Sequence, residues 1–132
     1  MLETPTATGP VESPAVQPWR MGWADFVLTR YPWPHHVLKT VQPYLDAVLW
    51  GHKTFEVRRD DRGFQPHDLL VLAEWTGAEW GARATFQIIT YVLRDGEQFG
   101  VQPGFVVLGL RPLKATDVPN YAVGASAPSD PS

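Results

Sequence analysis

The sequence contains no cysteine, few charged residues and no long hydrophobic run. Without cysteine it cannot form a disulfide framework, a thiolate metal site or a cysteine nucleophile. No apolar run approaches the roughly 20 residues that a membrane-spanning helix needs. The first residues include an acid and lack the basic and apolar regions of a secretory signal. We therefore expect a cytoplasmic protein that is not attached to a membrane.

The charge balance also limits the choice of partners. The formal net charge is −3, so a general basic surface that neutralises many phosphates is not expected, although a local basic patch is compatible with this total. The four histidines show no ligand spacing beyond the adjacent His35 and His36, whose side chains would diverge on a strand. We therefore expect no metal site and no cofactor. Hydrophobic residues make up 44% of the chain, which suits one globular domain.

Proline and small polar residues mark both ends of the chain. The composition predicts a Pro-rich, partly disordered arm over residues 1–34, a domain over residues 35–111 and a disordered tail over residues 112–132. Residues 18–34 are too aromatic for a simple linker, and three interpretations stay open. The segment packs on the domain, it binds a protein partner, or translation begins at Met21. Its large aromatic residues are Trp19, Trp23, Phe26 and Trp33.

One short helix is predicted over residues 40–51. Thr40 is the expected N-cap, Pro43 is tolerable in the first turn, and Gly51 suits the position after the last turn, where a positive φ costs glycine nothing. The expected buried face consists of Tyr44, Leu45, Val48 and Leu49.

After the helix, the hydrophobic pattern changes to a period of two. Strands are predicted over residues 53–59, 69–75, 82–93 and 105–110, separated by turns. In the first of these, Phe55 and Val57 alternate with Thr54, Glu56 and Arg58. In the third, the residues predicted to share a face are Thr85, Gln87, Ile89 and Tyr91. The pattern indicates a mainly β, α+β protein with one or two short helices, built as a small β-barrel without edge strands.

The stretch "GHKTFEVR", residues 51–58, collects charges at the corner between the helix and the first predicted strand. Glu56 and Arg58 leave the same face of the strand, and Lys53 stands at its beginning. Two cations and one carboxylate could hold a phosphate or the hydrogen-bonding edge of a base, to which the planar fork of arginine is suited. A structural ion pair that stabilises the corner is the other interpretation of this spacing.

The same stretch resembles a known family. "GHKTFEVR" matches the pattern Gly-x-Lys-x-x-Glu-x-Arg of ASCH domains, relatives of the PUA domain, and is most similar to a branch of small bacterial and phage ASCH-like proteins. The similarity runs from "HVLK" at 36–39 through "GAR" at 81–83 and "TYVL" to "GFVVLGL", which ends at residue 110. The resemblance implies a PUA-like β-barrel with residues 36–39 as first strand. It also implies a cleft around Lys53, Glu56 and Arg58 that binds RNA or a nucleotide.

The resemblance leaves an enzymatic alternative. Some ASCH proteins resemble hydrolases, and one type deacetylates acetylated cytidine with a Lys, a Thr three residues later and a Glu. Lys53 matches that Lys, but Glu56 stands where the Thr would be, so the nucleophile position is missing. We therefore expect a binding protein rather than an enzyme. The alternatives are a small hydrolase of the amidohydrolase or ribonuclease type, with Lys53 and Glu56 as catalytic candidates, and a protein-interaction module that uses residues 18–34.

Further residues could extend the cleft. Arg59 and Arg62 either contact phosphates or pair with Asp60 and Asp61 in a solvated turn. Tyr91 is either a cleft hydroxyl or a packing residue. The complete set of candidate ligand-binding residues is Gly51, Lys53, Glu56, Arg58, Arg59, Arg62, Glu74, Trp75 and Arg83.

Three members of that set lie further along the chain, and each has a plainer interpretation. Trp75, with Trp80 across the turn, stacks on a base or packs on the barrel. Glu74 faces the cleft or is an exposed acid at the end of a strand. Arg83 completes an anion site or pairs with Glu74.

Overall fold

The computed structural model describes residues 16–120, so the predictions for residues 1–15 and 121–132 lie outside the described part. Two short 3₁₀ turns, Gly96–Phe99 and Ala115–Asp117, accompany the regular elements. The helices and strands are α1 (Trp23–Arg30), β1 (His35–Thr40), α2 (Tyr44–Leu49), β2 (Phe55–Arg59), β3 (Leu69–Trp75), β4 (Trp80–Leu93) and β5 (Phe105–Pro112).

The five strands form one sheet in the order β1-β3-β4-β5-β2. β1 pairs with β3 in parallel, and every other pair is antiparallel. The sheet curls into a half-barrel and carries two short helices, which confirms the predicted mainly β, α+β class with a small barrel-like sheet. The curl is incomplete, because β1 and β2 remain edge strands with a seam between them. The expectation that closure removes the edges is therefore not met.

Side chains from the two faces of the sheet form two separate cores. The inner core lies under α2 and includes Leu38, Leu45, Val48, Phe64, Leu70, Leu72, Ile89, Val106, Leu108 and Leu110. The outer core lies under α1 and includes Trp19, Ala24, Val27, Leu28, Leu69, Val71, Ala73, Phe86, Ile88, Leu113 and Val118. β3 contributes to both, which explains its unbroken apolar run Leu69–Ala73, because a strand covered on two faces has no polar side.

Residues 18–34 belong to the folded unit. Trp19, Val27 and Leu28 are buried in the outer core, and Trp23 and Phe26 pack against it. Of the three interpretations of this segment, packing on the domain is the one that the structure shows. The domain boundary predicted at residue 35 differs from the structure, because it separates α1 from the sheet that α1 covers. Trp33 is more than half exposed and stacks on the ring of His67 at a centroid distance of 5.4 Å.

The segment after β5 also packs on the sheet. Leu113 and Val118 are buried in the outer core, and the Arg111 guanidinium donates two hydrogen bonds to the Asp117 carboxylate at 2.9 and 3.0 Å. The predicted disordered tail from residue 112 thus differs from the structure as far as residue 120. The prediction rested on the high content of proline and small residues in this segment, which also contains two apolar side chains that the sheet buries.

The helix predicted over residues 40–51 is shorter in the structure. Thr40 ends β1 and is not an N-cap, because the parallel pairing of β1 with β3 keeps the chain extended up to this residue. Its hydroxyl donates to the carbonyl of Leu38, and Pro43 occupies the N-cap position. Gly51 does follow the helix with φ +80°, as predicted. Tyr44 and Leu49 are exposed, so only Leu45 and Val48 form the buried face.

A bulge in β4 changes the side on which its second half points. The pairing with β5 shifts register between Ile89 and Tyr91, leaving Thr90 as the extra residue. Thr85, Gln87 and Ile89 share a face, as predicted, and this face points inward, because their partners on β3 and β5 belong to the inner core or share its face. Tyr91 pairs with Gly109 and faces outward, so the prediction that it shares a face with Ile89 is wrong.

Within residues 16–120, neither α1 nor α2 has the length and apolar character that crossing a membrane requires.

Packing of α1 on the sheet can be tested with a matched pair of leucine substitutions. Leu28 is 6% exposed in the outer core, whereas Leu49, at the end of α2, is 39% exposed. We expect Leu28→Ala to lower the free energy of unfolding by about 2–5 kcal/mol, because it leaves a cavity under the sheet. Leu49→Ala should cost less than about 1 kcal/mol. Urea denaturation measures both, and equal midpoints would show that α1 is not part of the cooperative unit.

The Arg111–Asp117 pair predicts a pH dependence of stability. The hydrogen bonds from Arg111 hold the pKa of the Asp117 carboxyl below its usual value of 3.8. A carboxyl with a depressed folded-state pKa stabilises the fold above its unfolded pKa and loses this effect as pH falls through the folded pKa. Asp117→Asn should therefore lower the unfolding free energy at pH 7, and the difference from the wild type should shrink below pH 3.8. Denaturation at both pH values measures this, and a constant difference would contradict it.

Candidate functional site

Gly51 lets the chain reverse at the end of α2 and brings Lys53 to the start of β2. The amides of His52 and Lys53 both donate to the carbonyl of Ala47 at 2.9 Å, and Gly51, directly before them, has a positive φ of +80°. Gly51 itself is exposed and does not line the cleft described below. Its role here is to position Lys53.

Lys53, Glu56 and Arg58 form one hydrogen-bonded cluster, as the sequence predicted by their spacing. Lys53 Nζ donates to Glu56 Oε2 at 2.6 Å, and Arg58 Nε donates to Glu56 Oε1 at 3.0 Å. Lys53 Nζ also donates to the carbonyl of Phe55 at 2.6 Å. Glu56 is only 4% exposed, so its carboxylate is buried between two cations, one on each oxygen. The cluster carries one net positive charge.

Two arginines from the β2 side reach across the seam to β1. Arg58 Nη2 donates to the carbonyl of Lys39 at 3.2 Å and lies 3.4 Å from the Thr40 hydroxyl. Arg62 Nη1 donates to the carbonyl of Val37 at 2.9 Å. Side-chain donors therefore satisfy carbonyls that a neighbouring strand would bind in a closed barrel. The cluster therefore has the structural role that was the second interpretation of its spacing. The same part of the seam also contains a cleft.

The cleft lies between the end of β1, the start of α2 and β2, and its volume is about 520 Å³. Its polar groups come from the charged cluster and from Lys39 and Thr40. Apolar side chains form the rest of its surface, and Tyr44 and Phe55 contribute exposed aromatic rings. The complete lining is Lys39, Thr40, Val41, Tyr44, Lys53, Phe55, Glu56, Val57 and Arg58. Mostly apolar walls with a few converging polar groups are typical of ligand pockets.

β2 reverses the usual relation between polarity and burial. Glu56 faces inward beside Leu108, and Arg58 faces inward beside Val106, while Phe55 and Val57 point outward and are 45% and 50% exposed. A strand with its apolar side in solvent and a carboxylate inside is stable only if that carboxylate has partners. Lys53 and Arg58 provide them.

The remaining two arginine candidates, Arg59 at the end of β2 and Arg62 in the turn that follows, point to different parts of the surface. Arg62 approaches Asp61 at 3.9 Å and binds β1, so it contributes to the seam. Arg59 extends outward over the ring of Phe105 at 4.9 Å. Asp60 approaches Arg94 at 3.6 Å. Both candidates thus lie outside the cleft lining.

Glu74, Trp75 and Arg83 form a neighbouring group and do not line the cleft. Arg83 donates to Asp46 Oδ1 at 2.9 Å and to Glu74 Oε2 at 3.3 Å, and these hydrogen bonds raise the pKa of the Arg83 guanidinium. The pairing interpretation of Arg83 and Glu74 is therefore the one observed. The Trp75 ring meets Trp80 edge to face at 5.3 Å and carries Lys39 Nζ over its face at 3.9 Å.

The β1 side of the cleft was not predicted from the sequence. Lys39 and Thr40 end β1, Val41 follows them, and Tyr44 begins α2. Only the resemblance identified β1 as a strand, and no local pattern shows which distant segment will lie opposite β2.

Among residues 16–120, no group of three or more His, Asp or Glu side chains is arranged to hold a metal ion. His36 Nε2 lies 2.8 Å from Oδ2 of the buried Asp68.

The fold and the site together define a small α+β half-barrel with a charged cleft at the seam between its edge strands. Residues 35–110, more than half of the chain, match the family model described as Domain of unknown function (DUF3850), and the chain belongs to this family. The match begins at β1 and ends within β5, so α1 lies outside it. No curated protein matches the chain.

A comparison of neighbouring arginines tests the role of the cluster in stability. Arg58→Ala removes a charged hydrogen bond to buried Glu56 and the bridge to Lys39, so we expect a loss of about 1–3 kcal/mol in unfolding free energy. Arg59→Ala, on the outward side of the same strand, should cost less than about 1 kcal/mol. Thermal or urea denaturation measures both. If the two losses were equal, the cluster would not stabilise the seam.

Proposed function

We propose that this protein binds RNA or a nucleotide in the cleft at the seam, as a member of the wider ASCH and PUA-like group. The observation that carries the proposal is the combination of cations and aromatic rings in one cleft. Lys53 and Arg58 provide charged donors with one uncompensated positive charge, and Tyr44 and Phe55 provide exposed rings. A nucleotide offers the complementary groups, namely an anionic phosphate and a flat base that stacks on aromatic side chains.

The charge of the cluster favours a ligand with few contacted phosphates. Glu56 neutralises one of the two cations beside it, so the cleft provides one net positive charge rather than a long basic surface. The net charge of −3 over the chain also opposes non-specific binding to polyanions. Binding is therefore selective, and its dependence on salt is shallow.

Hydrolysis is the second candidate function, because Lys53, Glu56 and Thr40 all line the cleft. In such an enzyme, Glu56 would take a proton from water and Lys53 would stabilise the developing oxyanion. The contacts favour binding over this chemistry. Both carboxylate oxygens already accept hydrogen bonds from cations, the Thr40 hydroxyl donates to the carbonyl of Leu38, and Thr40 as a residue is 2% exposed. We propose a binding protein, with a hydrolase acting on a modified nucleoside or RNA as the alternative.

Titration with a panel of ligands tests the binding proposal. The panel contains nucleosides, the matching nucleotides and short ribo-oligomers, each at two salt concentrations. We expect nucleotides to bind more tightly than nucleosides, and Lys53→Ala or Arg58→Ala to weaken nucleotide binding about tenfold or more, because each loses a charged hydrogen-bond donor. The control is Arg20→Ala, which removes an exposed cation beside Asp25 and away from the cleft. Absence of nucleotide and RNA binding, or an equal effect of the control, would contradict the proposal.

The same samples distinguish binding from hydrolysis. Acetylated cytidine and RNA incubated with the protein are analysed by chromatography. The binding proposal requires that neither is converted. Turnover that disappears in Glu56→Gln while nucleotide affinity is retained would instead establish the hydrolase.

A further inference from the structure

The outer face of the sheet is covered over only part of its width. Within residues 16–120, α1 and Trp19 pack on β3 and on Phe86 and Ile88 of β4. At the other end of this face, where β2, β5 and the second half of β4 meet, neither α1 nor α2 of the described range 16–120 covers the strands. We call its apolar side chains the outer patch, which consists of Phe55, Val57, Tyr91, Leu93, Phe105 and Val107.

The strand register arranges the outer patch in rows. Phe55 and Tyr91 both pair with Gly109, and Val57 and Leu93 both pair with Val107. Tyr91 reaches this face only because of the bulge at Thr90, and it is 64% exposed. Phe55 and Val57 are also exposed, and Leu93, Phe105 and Val107 are half-buried beside them. Neighbouring apolar side chains that remain accessible in this way mark a binding surface more often than an inert one.

In the first row, Gly109 stands between Phe55 and Tyr91 and carries no side chain. The backbones that carry Phe55 and Tyr91 are two strand spacings apart, about 10 Å. Between them Gly109 has no side chain, and a Cβ at this position would come within 3.0 Å of the Thr90 hydroxyl and 3.7 Å of Tyr91 Cβ. The Thr90 hydroxyl and Tyr91 Cβ therefore lie close to the place that a side chain at Gly109 would take. A flat ligand can contact each ring from the solvent side, because Phe55 and Tyr91 are 45% and 64% exposed.

Cations accompany the rings of the outer patch. Lys53 Nζ lies 4.8 Å from the centre of the Phe55 ring, and the Arg59 guanidinium lies 4.9 Å from that of Phe105. Arg59 forms no ion pair with any residue in the described range 16–120. The acids of the adjacent turn, Asp60 and Asp61, approach Arg94 and Arg62 instead. The Arg59 charge is thus available beside the half-buried Phe105 ring and on the same face as the exposed rings of Phe55 and Tyr91, which suits a polyanion with flat bases.

The outer patch is continuous with the cleft, because Phe55 and Val57 belong to both. We propose that a single-stranded RNA occupies the cleft with one nucleotide and the outer patch with the nucleotides next to it. Their bases stack on Phe55 and Tyr91, and a phosphate contacts Arg59. This inference rests on the proposed function and specifies its ligand as a single strand rather than a free nucleotide. A duplex does not fit, because its bases are stacked on each other and unavailable to the rings.

Tyr91 provides the test, since it belongs to the outer patch and not to the cleft lining. The probes are a mononucleotide and a labelled eight-nucleotide single-stranded RNA, titrated by calorimetry and by fluorescence anisotropy. We expect Tyr91→Ala to weaken binding of the RNA about 5- to 100-fold, the effect of one lost stacking contact, and to leave the mononucleotide affinity unchanged. Arg59→Ala should reduce the salt slope for the RNA by about 0.7, the value for one phosphate of a single strand.

The matched control is Trp33→Ala, which removes an exposed ring that belongs to neither surface. Mononucleotide binding together with an RNA affinity that Tyr91→Ala does not change would overturn the inference and leave the proposed function intact. Failure of both probes to bind would contradict the proposed function itself. A second copy of the chain could also bind the outer patch, and sedimentation of the free protein tests whether it forms such a dimer. A dimer that Tyr91→Ala dissociates and that RNA does not disrupt would also overturn the inference.

Discussion

The bridge from Arg58 to β1 is the interaction on which the rest of the structure depends. The half-barrel ends in two edge strands, and exposed edges leave backbone groups without partners. Arg58 binds the carbonyl of Lys39 and Arg62 binds that of Val37, two residues away and therefore on the same side of β1. Arginine side chains, and not backbone hydrogen bonds between strands, join the two edges. The strands are therefore held together at a distance that leaves space for a cleft.

The bridge also explains why a carboxylate is buried beside the seam. Glu56 accepts hydrogen bonds from Arg58 and Lys53, so it orients both cations from inside the sheet. A buried ion pair contributes little net stability, because desolvation offsets much of the Coulomb attraction. Its clearer effect here is geometric, since it holds two charged donors at fixed positions along a cleft with aromatic walls. The side chains that bridge the seam therefore also fix the positions of the charged donors in the cleft.

The sequence was most informative where structure depends on local pattern. The positive φ of Gly51, the alternation of β2 and the apolar run of β3 were all predictable from neighbouring residues. Alternation could not show that the polar side of β2 is the buried one, because this follows from its position at the seam. Thr40 is a residue type that favours the N-cap position, but it ends a strand. Its pairing partner lies more than 30 residues away, so the local sequence could not reveal this. The bulge at Thr90, which turns Tyr91 outward, likewise depends on the register with β5.

The central claim is that the seam cleft binds a nucleotide through the Lys53–Glu56–Arg58 cluster. The most direct measurement is a two-dimensional NMR titration of isotope-labelled protein with a mononucleotide, in which each amide reports on its own surroundings. If the cleft binds the nucleotide, the amides that shift will belong mainly to residues 39–41, 44, 53 and 55–58, which line the cleft. Saturating nucleotide that shifted no amides, or shifted only those of α1 and the surface around it, would contradict it.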